Sequence, residues 1–72
     1  MNKKLLFAEM AKLGDTQATL ADAIGVSRSR LTQKIGGYRG AQFNANEIES
    51  IAKRYKLKPK AVYDVFFAEK VE

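Results

Sequence analysis

The stretch Gln17–Ile35 reads QATLADAIGVSRSRLTQKI, and its one glycine constrains the fold more than any other residue. Apolar residues recur at helical spacing on both sides of it: Leu20, Ala21 and Ile24 before, Leu31 and Ile35 after. Two helices meeting at a large angle need a turn of very few residues. One of those residues usually takes a left-handed backbone, which glycine alone enters without steric cost. Gly25 is therefore predicted to end one helix, and Ser27 to cap the next. Ala21 fits this picture, because crossing helices approach closely only where a side chain is small. Leu20, Ile24, Val26 and Leu31 would fill the angle between the helices. A lone glycine would equally allow a plain helical hairpin; the joint spacing of Gln17, Leu20, Ala21, Gly25, Val26 and Leu31 is more specific.

The remaining segments read as helices too. Asn2 can cap a first helix in which Leu6, Met10 and Leu13 recur at helical spacing beside Phe7, and Gly14 ends it. Thr16 caps the helix leading to Gly25. The stretch GGYRGAQF, residues 36–43, is too glycine-rich for a helix and reads as a loop. Asn44 and Glu47 have capping-box spacing and open a helix that buries Ile48, Ile51, Ala52 and Tyr55. Pro59 suits the first turn of a last helix carrying Val62, Val65 and Phe66. No segment alternates polar and apolar residues over a strand's length. The 72 residues are thus expected to form one all-α domain, a compact four- to five-helix bundle with its helix-turn-helix at about residues 17–35. Such a chain buries only about 60% of the surface its unfolded form exposes, so its core is modest.

Composition removes several kinds of chemistry. The chain has no cysteine and no histidine, which rules out disulfides, thiolate or imidazole metal ligation, and histidine-dependent catalysis. The carboxylates form no clustered pattern. The expectation is a protein that is not an enzyme, with no cofactor, metal or evident small-molecule ligand. The longest apolar runs are three or four residues, as in LLFA and VFFA, so no transmembrane span is expected. A reducing cytoplasm fits the absence of cysteine.

The net charge of +5 comes from 13 Lys and Arg against 8 Asp and Glu. Its distribution is more informative than its size. Arg28, Arg30, Lys34 and Arg39 lie between Val26 and Phe43 with no acid among them. Such segregation suits a surface that meets phosphates. Lys53, Arg54, Lys56, Lys58 and Lys60 form a second basic run, which reads as a solvated helix face.

The pattern Q-x-x-L-A-x-x-x-G-V-S-x-x-x-L over residues 17–31 resembles the helix-turn-helix of the phage repressor and Cro superfamily. The stretch RGAQFNANEIESIAKRYKL and the ending VFFAEKVE resemble a Cro/repressor-like group of phage and prophage proteins. The resemblance spans essentially the whole chain. It implies a lambda-repressor-like domain that binds double-stranded operator DNA, generally as a two-fold homodimer. One departure stands out: the wider family usually has an apolar residue where this chain has Lys34, and an apolar side chain follows only at Ile35.

An exposed helix fits the major groove, where each base pair shows its own donor and acceptor pattern. Stepping about 100° per residue puts Leu31 and Ile35 on one side of the second helix. The opposite side centres near Gln33, flanked by Ser29 and Arg30. The family resemblance instead favours Arg28, Ser29, Thr32 and Gln33 as the base-reading surface. The two views agree on Ser29 and Gln33 and differ over Arg28 against Arg30. We favour Arg28 for a guanine and Gln33 for an adenine, with Arg30 expected on a backbone phosphate rather than on a base or an intramolecular partner.

The resemblance puts Gln17 on a backbone phosphate, where it would also brace a recognition-helix side chain. Ser27, Lys34, Tyr38 and Arg39 complete the expected backbone contacts, with the glycine-rich loop either approaching a phosphate strand or serving only as a connector. At the far end, Phe66 and Phe67 are adjacent and cannot both enter one small core easily. Phe66 is expected inside; Phe67 is either core or an apolar anchor between subunits, and the pair marks the expected dimer interface. The function expected is sequence-specific regulation of transcription from a pseudo-palindromic operator. The alternative is a protein-interaction module, such as an antitoxin, whose helix-turn-helix serves a protein partner.

Overall fold

Every cap anticipated in the sequence closes or opens a helix. The structure, a computed structural model, describes residues 1–68; the end of the VFFAEKVE stretch, residues 69–72, lies outside the described residues. Asn2 opens α1 (Lys3–Leu13) by accepting the Leu5 amide, and Gly14 closes it. Thr16 opens α2 (Gln17–Ile24) through a reciprocal box with Thr19. Ser27 opens α3 (Arg28–Gly36) by accepting the Arg30 amide. Asn44 and Glu47 form the second box, at the start of α4 (Ala45–Tyr55). Asn2, Thr16, Ser27 and Asn44 each satisfy a main-chain donor that a helix start leaves unpaired. Pro59 begins α5 (Pro59–Val62). The described residues therefore form an all-α bundle of five helices with no strand.

Gly25 stands between α2 and α3 with φ 79°, the left-handed conformation the bend requires. Its N–H and that of Val26 return to the last turn of α2, so the bend leaves few free donors. A Cβ built at Gly25 would meet nothing within 4 Å. Gly25→Ala is therefore expected to cost only the left-handed backbone penalty, about 1–2 kcal/mol, in urea unfolding. A larger loss would mean that the bend tolerates no side chain at all.

The core is one cluster: Leu6, Met10, Leu20, Ala21, Leu31, Ile35, Ile51 and Val65, with Ile24, Val26, Phe43, Tyr55 and Phe66 packed at its edge. Leu6, Leu20, Leu31 and Ile51 are fully buried, so each of α1 to α4 contributes one anchoring side chain. The start of α1 is tied to the segment after α5 where the Asn2 amide donates to the Val65 carbonyl at 2.7 Å. Among the described residues no helix is long and apolar enough to cross a membrane.

Three local expectations are corrected. Leu13 is 54% exposed: it continues the helical spacing of α1 but is the helix's last residue, and the chain turns away at Gly14. Gly36 belongs to α3, and the loop after it holds a single tight turn at Tyr38–Gly40. The last helix does not stay α-helical. After Val62 it widens into one turn over Tyr63–Phe67, closed by the Ala68 N–H donating to the Tyr63 carbonyl at 2.8 Å. Val65 fills the core from this wide turn, Phe66 meets the Phe43 ring edge-on at 5.7 Å between centroids, and Phe67 is left outside at 60% exposure.

Candidate nucleic-acid interface

The bend at Gly25 sets α3 against α2 with only one of its faces buried. Leu31, Lys34 and Ile35 point inward, while Arg28, Ser29, Arg30 and Thr32 are exposed and Gln33 is half-buried. Ser29 and Gln33, where helix geometry and family resemblance agreed, are thus both reachable from solvent. Arg28 opens the first turn, and no hydrogen bond or ion pair engages its side chain among the described residues. Ser27 uses its oxygen to cap α3 at 3.0 Å from the Arg30 amide, which leaves its hydroxyl hydrogen available to an acceptor.

Two side-chain hydrogen bonds organise this face. The Thr32 hydroxyl donates to Gln17 Oε1 at 2.7 Å. The first residue of α2 therefore braces α3, in the position expected of Gln17, and Thr32 keeps its methyl group and an oxygen lone pair for an outside partner. The Arg30 guanidinium donates to Gln33 Oε1 at 3.1 Å, one helical turn along the same face. Arg30, expected on a phosphate, here makes the intramolecular contact that was its alternative.

Lys34 is the correction. Grouped with the phosphate-contacting side chains, it is instead buried, with its ammonium 2.6 and 2.7 Å from the two Glu47 carboxylate oxygens. Only 8% and 10% of the two side chains is exposed. A charge on the buried face of a helix requires such a partner, and Glu47 supplies it from the first turn of α4. The same carboxylate accepts the Asn44 amide at 3.0 Å, so the capping box and the ion pair share one group. Burial alone would push the Glu47 carboxyl up. The hydrogen bonds from Lys34 and the Asn44 backbone, with the charges of Lys34 and Arg30, outweigh burial and hold it below its ordinary value. The signal for this was present: Leu31, Lys34 and Ile35 follow the i, i+3, i+4 spacing of a buried stripe.

Beyond α3, Tyr38 and Arg39 are both exposed. Arg39 has a left-handed backbone with φ 52°, and its guanidinium carbon lies 5.3 Å from the centre of the Tyr38 ring. The pair projects from the turn as one cationic, hydrogen-bonding unit. Of the four basic residues in the acid-free stretch, Arg28, Arg30 and Arg39 remain on the surface and Lys34 does not.

The second basic run is largely occupied elsewhere. Lys53 pairs with Glu49 and Lys60 with Asp64 across exposed helical turns. Arg54 forks onto Asp15, with both contacts at 2.7 Å, and the Tyr55 hydroxyl donates to the same carboxylate at 2.6 Å. Arg54 holds the Asp15 carboxyl well below the usual carboxylate range against the opposing effect of burial, helped by Tyr55 and Thr19. Burial, then the bond to Asp15, pushes the Tyr55 hydroxyl up. The cluster ties the α1–α2 corner to the end of α4. Sequence spacing gives no sign of a contact between residues so far apart.

Phe66 packs against the core of its own chain, so of the expected interface pair only Phe67 is presented outward. It rims a cleft of about 480 Å³ that Phe43, Ile48 and the glycines after α3 also line.

Comparison with protein-family models, curated proteins and solved structures finds no match to this chain. The interface is read from its own chemistry.

Proposed function

We propose that the chain is a sequence-specific, non-enzymatic DNA-binding regulator of transcription, of the phage or prophage Cro or repressor type, acting in a bacterial cytoplasm. The observation that carries this reading is the outer face of α3. It presents Arg28, Ser29, Thr32 and Gln33 around a helix braced by Gln17 and fixed from behind by Glu47. A helix with one polar face free can lie in a major groove and reach base edges with its first turns. Gln17, Ser27, Tyr38 and Arg39 flank that face and suit phosphate oxygens, while Arg30 lies beside Gln33 on the face itself. A stretch with three exposed arginines and no acid suits a polyanion better than a typical protein surface.

Such a chain binds as a homodimer at least on DNA, with Phe67 as the apolar anchor between copies. It regulates by occupying its operator and obstructing the polymerase. Two recognition helices would then meet half-sites about one DNA turn apart. Selecting bound sites from a random duplex library tests this directly. The expected outcome is an enriched inverted repeat. Recovery of unrelated sequences, or binding that survives high salt unchanged, would favour a protein partner over DNA.

Arg28 is assigned to a guanine. Arg28→Ala is expected to lower affinity for the selected site by roughly 1–3 kcal/mol and to relax preference at one base pair. Fluorescence anisotropy against single-substituted duplexes reads both effects. A uniform loss over all sequences would instead place Arg28 on a phosphate.

A further inference from the structure

The hydrogen bond between Arg30 and Gln33 has a consequence for which base the helix selects. A glutamine with both ends of its amide free matches adenine, accepting from N6 and donating to N7. One end of the Gln33 amide is already engaged. Its Oε1 accepts from the Arg30 guanidinium at 3.1 Å, which turns the carbonyl toward Arg30, leaves the amide nitrogen for an outside partner, and leaves the second Oε1 lone pair reachable only alongside the guanidinium donors.

We infer that Arg30 and Gln33 form one composite donor unit that reads guanine, and that Arg30 is the residue that sets this specificity by turning the Gln33 amide. The unit presents guanidinium and amide N–H groups side by side. Guanine offers N7 and O6, two acceptors, along its major-groove edge. Adenine would have to place its N6 amino donor next to a guanidinium, donor against donor. The unit therefore accepts guanine and rejects adenine at the base pair under Gln33. This inference rests on the proposed DNA-binding function and deepens it.

Parallel selections from a random duplex library with the wild type, Gln33→Ala and Arg30→Ala test it, followed by affinities for duplexes differing at that base pair. The wild type should select guanine at a position where Gln33→Ala shows no preference. Arg30→Ala should select adenine there, with the ratio of guanine to adenine affinities reversing by on the order of tenfold or more. Both residues lie on the outer face of α3, and far-ultraviolet circular dichroism confirms that the variants are folded. An Arg30 that only neutralised a phosphate would weaken every duplex alike in Arg30→Ala and leave the guanine preference intact; that result overturns the inference while keeping the DNA-binding function. Adenine selected by the wild type at this position overturns it as well. Failure of the wild type to enrich any site would remove the DNA-binding reading and this inference with it.

Discussion

Lys34→Met is expected to destabilise the domain by about 3–5 kcal/mol. The methionine fits the buried stripe of α3 and matches the apolar residue common at this position in the resembling family. Even so, it leaves the Glu47 carboxylate buried without its cation. In a domain of this size that loss is a large part of the total stability. The double variant Lys34→Met/Glu47→Gln is expected to recover most of it. The amide still accepts the Asn44 N–H that completes the capping box, and no uncompensated charge remains. Urea unfolding of the wild type, both single variants and the double variant yields the coupling. A single Lys34→Met variant as stable as the wild type would show that the pair contributes nothing.

The second large effect is expected at Asp15. Asp15→Ala removes the acceptor shared by Arg54 and Tyr55 and the oxygen that receives the Thr19 hydroxyl at 2.8 Å. Loss of hydrogen bonds to a charged group of this kind costs about 1.5–3 kcal/mol. The effect should depend on pH. The Asp15 carboxyl is held below its unfolded value, so between the two values the native state binds fewer protons than the unfolded one. Its contribution is fully present above about pH 5 and is lost as pH falls through the unfolded range near 4 toward the folded value. Glu47 adds to the same acid slope, since its carboxyl is lowered too. Wild-type stability should therefore fall steeply below about pH 4, and Asp15→Ala should fall less steeply. Parallel acid slopes for the two proteins would contradict the assignment.

What the sequence revealed well was local. Asn2, Thr16, Ser27 and Asn44 each bond to an amide three residues on, and Gly25 bends the chain through its own backbone. Neither effect depends on distant residues. The inner stripe of α3 was legible from its period, and with it the outward position of Ser29. Contacts between distant segments were not. Asp15 meets Arg54 and Tyr55 from the far end of α4, and no spacing rule joins residues that fold together only through the bundle. Lys34 lay between these cases: its helical position placed it inside, its charge suggested outside, and Glu47 resolves the conflict. The wide turn at Tyr63–Phe67 was hidden because adjacent phenylalanines fit several helical registers, and only packing against Phe43 selects one.

The most direct test of the account is a nuclear magnetic resonance titration of the isotopically labelled protein with its selected duplex. Amide and side-chain signals of Arg28, Ser29, Thr32 and Gln33 should shift first and furthest, followed by Gln17, Tyr38 and Arg39, while those of Leu5, Phe7 and Leu13 stay in place. Shifts centred on α1 or α5 with the α3 signals unmoved would contradict it.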